Sequence, residues 1–399
     1  MTEPRSRHGT AARLRPFGES IFSSISRLAV QHGAVNLGQG FPNFDGPDFV
    51  KEAGIAAIRG GFGQYARSAG LPETNRAVAA RVAAATGIDA DPDAEVTITG
   101  GCTEAIAATM LGLVEPGDEV VLVEPSYDSY AACVAMAGGV VRPVRLHAPD
   151  FAFPLEELRR AVGPRTRMIV VNTPHNPTGR VFTEAELAGI AQVAIAADCL
   201  VLADEVYEEL WYARPHRSIR ALPGMRERTV LLSSLGKTFS LTGWKIGWAV
   251  APAHLTAGIR AAHQFLTFCA VTPMQRAACE ALAAPPAYFE ALRADYAQRR
   301  DALLETLRAA GFDPFVPEGS YFVLADHRRF GHATDADFAR HLIERVGVAC
   351  IPCSAFYMPR ADGTLDEEAT SLVRFAFCKT HETIAQAGER LRAGQLARM

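Results

Sequence analysis

From about Glu95 to Val250 the chain alternates short apolar runs with longer alanine-rich stretches of helical period. The runs VTIT, EVVLV, VVRPV, MIVVN, LVLAD and TVLLS are short, mostly rich in β-branched residues, and read as strands. TEAIAATMLGLV and TEAELAGIAQVAIAA read as intervening helices, with Thr or Glu near their starts. Strands alternating with helices predict an α/β fold, a mostly parallel sheet with helices on both faces. Ligands of such sheets gather outside the carboxyl ends of the strands. Three polar segments stand at those ends: Asn172 to Asn176, Asp204, and Ser233 to Lys237.

After Pro273 the texture changes. A long charged helix is predicted from about Ala287 to Ala310, with strands at SYFVLAD and SLVRFAF and further helices at Asp335 to Val346 and the C-terminus. This is the pattern of a second, smaller α+β domain. The length supports it, because 399 residues exceed what one hydrophobic core fills. No internal repeat or low-complexity segment interrupts either region.

Charge and composition narrow the function classes. A net charge of -4, without a Lys/Arg cluster interleaved with aromatics, gives no field for nucleic acid. Acidic, basic or Pro residues break every apolar stretch before the length a membrane span needs. Arg5, Arg7, Arg13 and Arg15 precede no apolar core of the kind a secretory signal carries, so residues 1–20 read as an N-terminal arm. Eight cysteines spread from Cys102 to Cys378 suit free thiols in a reducing compartment, the cytoplasm. Cys350-x-x-Cys353 has no second pair or clustered histidines, so no metal site is expected.

The candidate chemistry comes in one order along the chain: NTPHNPTGR, LVLADEVYEE, then SSLGKTFSLTGWKIGW over residues 233 to 248. Lys237, following a Ser-Ser strand end, can supply an amine for a Schiff base with an aldehyde cofactor. Asp204, ending an apolar strand, can hold a pyridine nitrogen protonated so that the ring accepts electrons. Gly100, Gly101, Cys102 and Thr103 open a helix whose free N–H groups suit a phosphate. Arg374 lies in an apolar strand, where an unpartnered guanidinium is costly, and a substrate carboxylate would partner it. Two other motifs touch Lys237. Ser234-x-x-Lys237 lacks the companion elements of a penicillin-binding fold. Gly236-Lys237-Thr238 has Leu231 where a phosphate-binding loop needs its first glycine.

NLGQGFPNF, HNPTGRVF and GKTFSLTGWKIGW, with TGGCTEAI and SLVRFAFCK, resemble the class I aminotransferases, fold type I of the pyridoxal phosphate enzymes. Within that class the similarity is to the kynurenine, glutamine and methionine aminotransferase branch. The resemblance implies pyridoxal 5'-phosphate on Lys237, and a large cofactor-binding domain over 41–285 with a sheet of the seven-stranded type. The smaller domain would join 21–40 to 286–399. It further implies Asp204 at the pyridine nitrogen, Tyr207 and Asn176 at the phenolic oxygen, and Tyr127 stacked on the ring. Gly101, Cys102, Thr103, Ser234 and Lys245 would hold the phosphate, with Tyr65 reaching across from the neighbouring subunit of a homodimer. Arg374, Gly40 and Asn176 would face the substrate. The implied reaction moves the amino group of an L-amino acid to a 2-oxo acid in two halves. A β-elimination lyase acting on cysteine conjugates is the alternative with the same cofactor. A cofactor-binding regulator would need a DNA-binding head, and no helix-turn-helix precedes GQGFP.

Overall fold

The computed structural model describes residues 9–360, 362–394 and 396. Arg5 and Arg7 of the expected arm lie outside the described residues, as do the last three positions of the chain. The strands, in chain order, are β1 (Val35–Asn36), β2 (Val96–Thr99), β3 (Glu119–Glu124), β4 (Val140–Arg145), β5 (Thr166–Asn172) and β6 (Leu200–Asp204). They continue with β7 (Thr229–Ser234), β8 (Gly247–Val250), β9 (Phe322–Asp326), β10 (Val348–Ala349), β11 (Ile351–Pro352) and β12 (Leu372–Ala376).

Seven of them form one sheet in the order β2-β8-β7-β6-β5-β3-β4. All pairings are parallel except those of β8, which runs against both neighbours. The six strands expected from sequence are all present. The seventh, β8, starts on the last two residues of the GWKIGW segment, where its Gly-Trp-Ala-Val run carries neither apolar–polar alternation nor β-branched enrichment. Pro143 sits in β4, which occupies the sheet edge, where the missing N–H costs no ladder bond to an outer strand.

The period of two divides the core. Val121, Val123, Ile169 and Val171 join Leu187 and Ile190 of helix Glu184–Ala196 in one apolar cluster. Val120, Leu122, Met168 and Val170 join Ala105 and Ile106 of helix Cys102–Leu113 in another. Alternate residues of the same strands therefore bury against helices on opposite faces, each large side chain contributing about 1.5–3 kcal/mol. Helix Glu184–Ala196 starts at Thr183, which exchanges hydrogen bonds with Glu186 in a capping box.

A smaller antiparallel sheet, β11-β12-β9, follows, covered by helices Pro286–Ala309 and His381–Ala393. The predicted helix at Asp335 is α-helical to His341 and continues as a wider π turn over Leu342–Val346. β1 pairs with β10, and the Ala376 N–H donates to the Leu37 carbonyl at 2.7 Å. The segment after β1 thus lies along β12 and brings Gly38 and Gly40 to Arg374. No helix among the described residues is long and apolar enough to cross a membrane.

Candidate active site

Register aligns the strand ends. Asn172 pairs with Asp204 across β5 and β6, and Ser234 pairs with Gly247 across β7 and β8. A cavity of about 300 Å³ opens beyond them. It is lined by Gly40, Gly101, Cys102, Thr103, Tyr127, Asn176, Asp204, Tyr207, Ser234, Lys237, Lys245 and Arg374. Of the site residues expected from sequence, Gly100, whose N–H turns to Glu104, and Tyr65 stay outside that lining; Tyr65 is 82% exposed and packs edge-on against Phe268 at 5.2 Å.

Lys237 sits in the single helical turn Leu235–Thr238 that follows β7. Its Nζ donates to the Gly40 carbonyl at 3.4 Å and lies 5.7 and 5.6 Å from the ring centres of Tyr207 and Tyr321. Burial pushes its pKa below the usual lysine value, with Asp204 pulling the other way and Arg374 adding to the fall. The neutral amine needed of a nucleophile or base is thereby favoured.

Asp204 is buried at the end of β6. Burial raises its pKa, and three donors oppose that rise: Tyr130 Oη at 2.6 Å, the Val206 N–H at 3.3 Å and Cys102 Sγ at 3.7 Å. The shortest of these comes from Tyr130, which sequence reading missed. Its spacing was the available signal, since Tyr130 follows Tyr127 by three residues at the start of helix Asp128–Ala137. Tyr127 meets Tyr130 edge to face at 5.7 Å, and burial pushes the Tyr127 hydroxyl up to about 12. Asn172, also missed as an individual residue, donates to the Asp204 carbonyl at 2.9 Å and accepts the Asn176 N–H at 2.9 Å.

Arg374 is fully buried. Nη1 donates to Asn176 Oδ1 at 2.9 Å and Nη2 to the Gly38 carbonyl at 3.0 Å, while the Phe322 ring lies 3.9 Å beneath the guanidinium. Nε has no hydrogen-bond partner. A buried guanidinium held by neutral groups, with one N–H unused and the cavity beside it, is prepared for an anion.

At the other end, Gly101 (φ +81°) caps helix Cys102–Leu113, and a Cβ there would come within 3.1 Å of Lys245 Nζ. A Cβ on Gly247 would come within 2.6 Å of the Cys102 nitrogen, so only glycine lets β8 approach this turn. Lys245 itself adopts a left-handed backbone, φ +55°, rare for a side chain of its size. Free helix N–H groups, a nearby ammonium and the Ser234 hydroxyl make a phosphate-sized anion site. Together with the Lys237 amine, the buried acid Asp204 and the Tyr127 ring, this donor set fits pyridoxal phosphate. Among the described residues no group of three or more His, Cys, Asp or Glu is arranged to hold a metal ion, and Cys350 and Cys353 are buried free thiols.

The phosphate turn has its own brace. Gly100 N–H donates to Glu104 Oε2 at 2.9 Å, Glu104 Oε1 meets His263 Nδ1 at 3.0 Å, and His263 Nε2 meets the Ser68 carbonyl at 2.9 Å. Burial works against a charged His263, but Glu104 and the Ser68 carbonyl outweigh it and raise the pKa above the ordinary value. A raised folded-state pKa gives stability that is complete below the unfolded value of about 6.5 and is lost as pH rises through the folded one. His263→Gln is therefore expected to cost roughly 1–2 kcal/mol in urea unfolding near pH 6 and clearly less near pH 9. Equal losses at both pH values would contradict a charged His263.

The family model described as "Aminotransferase class I and II" matches residues 33–391. A probable N-succinyldiaminopimelate aminotransferase of Mycobacterium tuberculosis is 47% identical over 388 residues, 96% of this chain and 98% of that protein. The methionine aminotransferase of Escherichia coli is 39% identical over 382 residues, 96% of this chain and 97% of that protein. A solved N-succinyldiaminopimelate aminotransferase structure from Mycobacterium tuberculosis superposes with a TM-score of 0.93, covering 98% of this chain and 100% of that one at 46% identity. With the cofactor-shaped cavity and these matches spanning nearly the whole sequence, the chain belongs to the class I and II aminotransferases, the pyridoxal phosphate enzymes that move an amino group from an amino acid to a 2-oxo acid.

Proposed function

We propose that this aminotransferase works by a ping-pong cycle in the cavity beyond β6 and β7, with Lys237 as both cofactor anchor and proton carrier. The observation behind this reading is the convergence of Lys237, Asp204 and Arg374, from three separate segments, on one cavity. When bound, pyridoxal phosphate supplies an aldehyde that takes up the substrate's nitrogen and a ring that draws electrons from the α carbon. Asp204, its upward shift by burial opposed by the Tyr130 hydroxyl and the Val206 N–H, would hold a proton at the ring nitrogen. Tyr207 and Asn176 would donate to the phenolic oxygen, and Tyr127 would pack against the ring. The N–H groups of Cys102 and Thr103 beside Gly101, whose own N–H is spent on the Thr99 carbonyl at 2.8 Å, would hold the phosphate with the Ser234 hydroxyl and the Lys245 ammonium.

Arg374 holds the substrate's α-carboxylate beside Gly40, where a Cβ would meet the Phe322 ring at 2.9 Å. That fixes the α C–H bond, and Lys237, its amine favoured neutral by burial, moves the proton. The rest of the wall includes Phe22, Gln39, Phe41, Leu241 and Phe322, and each cation lining the cavity already has a task. This favours donors with uncharged side chains, in keeping with the methionine aminotransferase relative.

The exposed face of Tyr65, Phe265, Leu266, Phe268 and Val271 suits burial against a second copy of the chain, which would carry Tyr65 to the partner's cavity. The division into an arm over 1–20, a large domain over 41–285 and a small domain over 21–40 with 286–399 belongs to this reading, as does a cytoplasmic location, which the absence of disulfides among the described cysteines supports.

The test is the half-reaction. The holoenzyme is mixed without acceptor with methionine, glutamine, kynurenine, N-succinyldiaminopimelate or aspartate, and the products are counted. About one equivalent of 2-oxo acid per site is expected, greatest for the uncharged side chains, with no further turnover until a 2-oxo acid is added. Continuous release of pyruvate and ammonia from a cysteine conjugate without acceptor would make the chain a β-lyase instead. A preference for aspartate would refute the side-chain assignment.

A further inference from the structure

The turn Asp204–Glu209 presents its residues to two sides. Asp204 and Tyr207 line the cofactor cavity, while Glu208 and Glu209 lie behind it. There they border a void of about 10 Å³ with Arg81, Thr238, Trp248 and Ser234, so Ser234 faces both spaces.

The two carboxylates are treated differently. Glu209 takes both available cations, Arg81 and Arg293, the latter at 2.9 Å. Glu205 is occupied by His216 at 3.0 Å and Ser218 at 2.8 Å. Glu208 forms no ion pair within 4 Å among the described residues. The hydrogen bond its carboxylate accepts among the described residues comes from Ser233 Oγ at 3.1 Å, the neighbour of Ser234 on the strand that delivers Lys237. A half-buried carboxyl without a counter-ion, bonded to the strand that carries the cofactor anchor, has no structural need of its charge.

We infer that Glu208 is a positioning residue for transamination: bonded to Ser233 from behind, it sets the turn that carries Ser234 and Lys237, and its ionisation weakens the hold on the cofactor's phosphate. The charged and titratable groups around it are Arg81 from helix Pro72–Thr86, Arg293 from helix Pro286–Ala309, Glu205 and Glu209 from its own turn, and His216. Burial pushes the Glu208 carboxyl up to about 7; Arg81, His216 and Ser233 pull against the rise and Glu205 adds to it. Across neutral pH the residue passes from a neutral brace to an anion behind a phosphate site. The direction follows from Coulomb repulsion: cofactor affinity falls as pH rises through that value.

The inference rests on Ser234 and Lys237 holding the cofactor as proposed above. Its test is the dissociation constant of pyridoxal phosphate for the apoprotein, read by tryptophan fluorescence between about pH 6 and pH 8, in the wild type, Glu208→Gln, Ser233→Ala and Ser234→Ala. The cofactor's own ionisations cancel when wild type and variant are compared. The wild type is expected to lose about tenfold more affinity over this range than Glu208→Gln, whose profile follows the acid limb of the wild type. Ser233→Ala removes a bond that favours the charged form, so its transition is expected to move to higher pH. Should Glu208→Gln fail to fold, that shift decides the matter. Equal slopes in wild type and Glu208→Gln, or an unmoved transition in Ser233→Ala, would overturn the inference. If Ser234→Ala weakens binding at every pH, the cofactor placement stands while these results decide on Glu208 alone. If Ser234→Ala binds like the wild type, the placement fails and the inference falls with it.

Discussion

Lys237→Ala is expected to lower turnover by at least about 10⁴-fold for every amino acid donor, and this is the largest effect foreseen for any single change. Two functions disappear together. The variant has no amine to anchor the cofactor, and no base on the turn after β7 to move the α proton. The neighbours cannot stand in. Lys245 is placed against Gly101 at the phosphate end, and Lys379 is buried with its Nζ on the Phe41 carbonyl at 2.7 Å. Phosphate contacts remain, so cofactor affinity should fall far less than turnover, and folding should be intact because Lys237 makes only the 3.4 Å bond to Gly40. Stopped-flow assays with and without a small added amine check the assignment. Partial recovery by the amine fits a missing base, and activity within tenfold of the wild type would dismiss Lys237.

Arg374→Ala is the second large effect. Removing the guanidinium leaves the substrate carboxylate facing Phe322, Phe356 and Phe22 without a cation, and leaves Asn176 Oδ1 and the Gly38 carbonyl without their donors. Losing one partner of a buried charged contact costs about 3–5 kcal/mol, or roughly 10²–10⁴ in kcat/KM. The loss should fall mainly on KM, with cofactor affinity nearly unchanged, because no phosphate contact is touched. Arg374→Lys keeps the charge but not the planar fork spanning Asn176, Gly38 and the substrate, and should recover little. Steady-state kinetics with one fixed donor measures both. A variant whose KM is unchanged while cofactor binding collapses would move Arg374 from the substrate to the cofactor.

Most of this site was legible because the chemistry sits at strand ends, and strand ends are local. Asp204 and Lys237 each directly follow an apolar run, so the α/β pattern alone carries them to one edge of the sheet. What stayed hidden depends on distant partners. Arg374 invited a search for a carboxylate, yet its protein partners are an amide 198 residues away and a carbonyl 336 residues away. No periodicity encodes such a pairing. Tyr130 looked like ordinary helix packing because its bond to Asp204 spans 74 residues. The two-residue strands β1, β10 and β11 are shorter than any pattern can register, and their partners define them. Tyr65 remains apart from the cavity of its own chain.

The most direct test of the whole account is to saturate the protein with pyridoxal phosphate, reduce it with borohydride to fix any amine linkage, digest it and sequence the labelled peptide. One label per chain on Lys237, absent from Lys237→Ala, is the predicted result. A label on Lys245 or Lys379 in the wild type, or none at all, would contradict it.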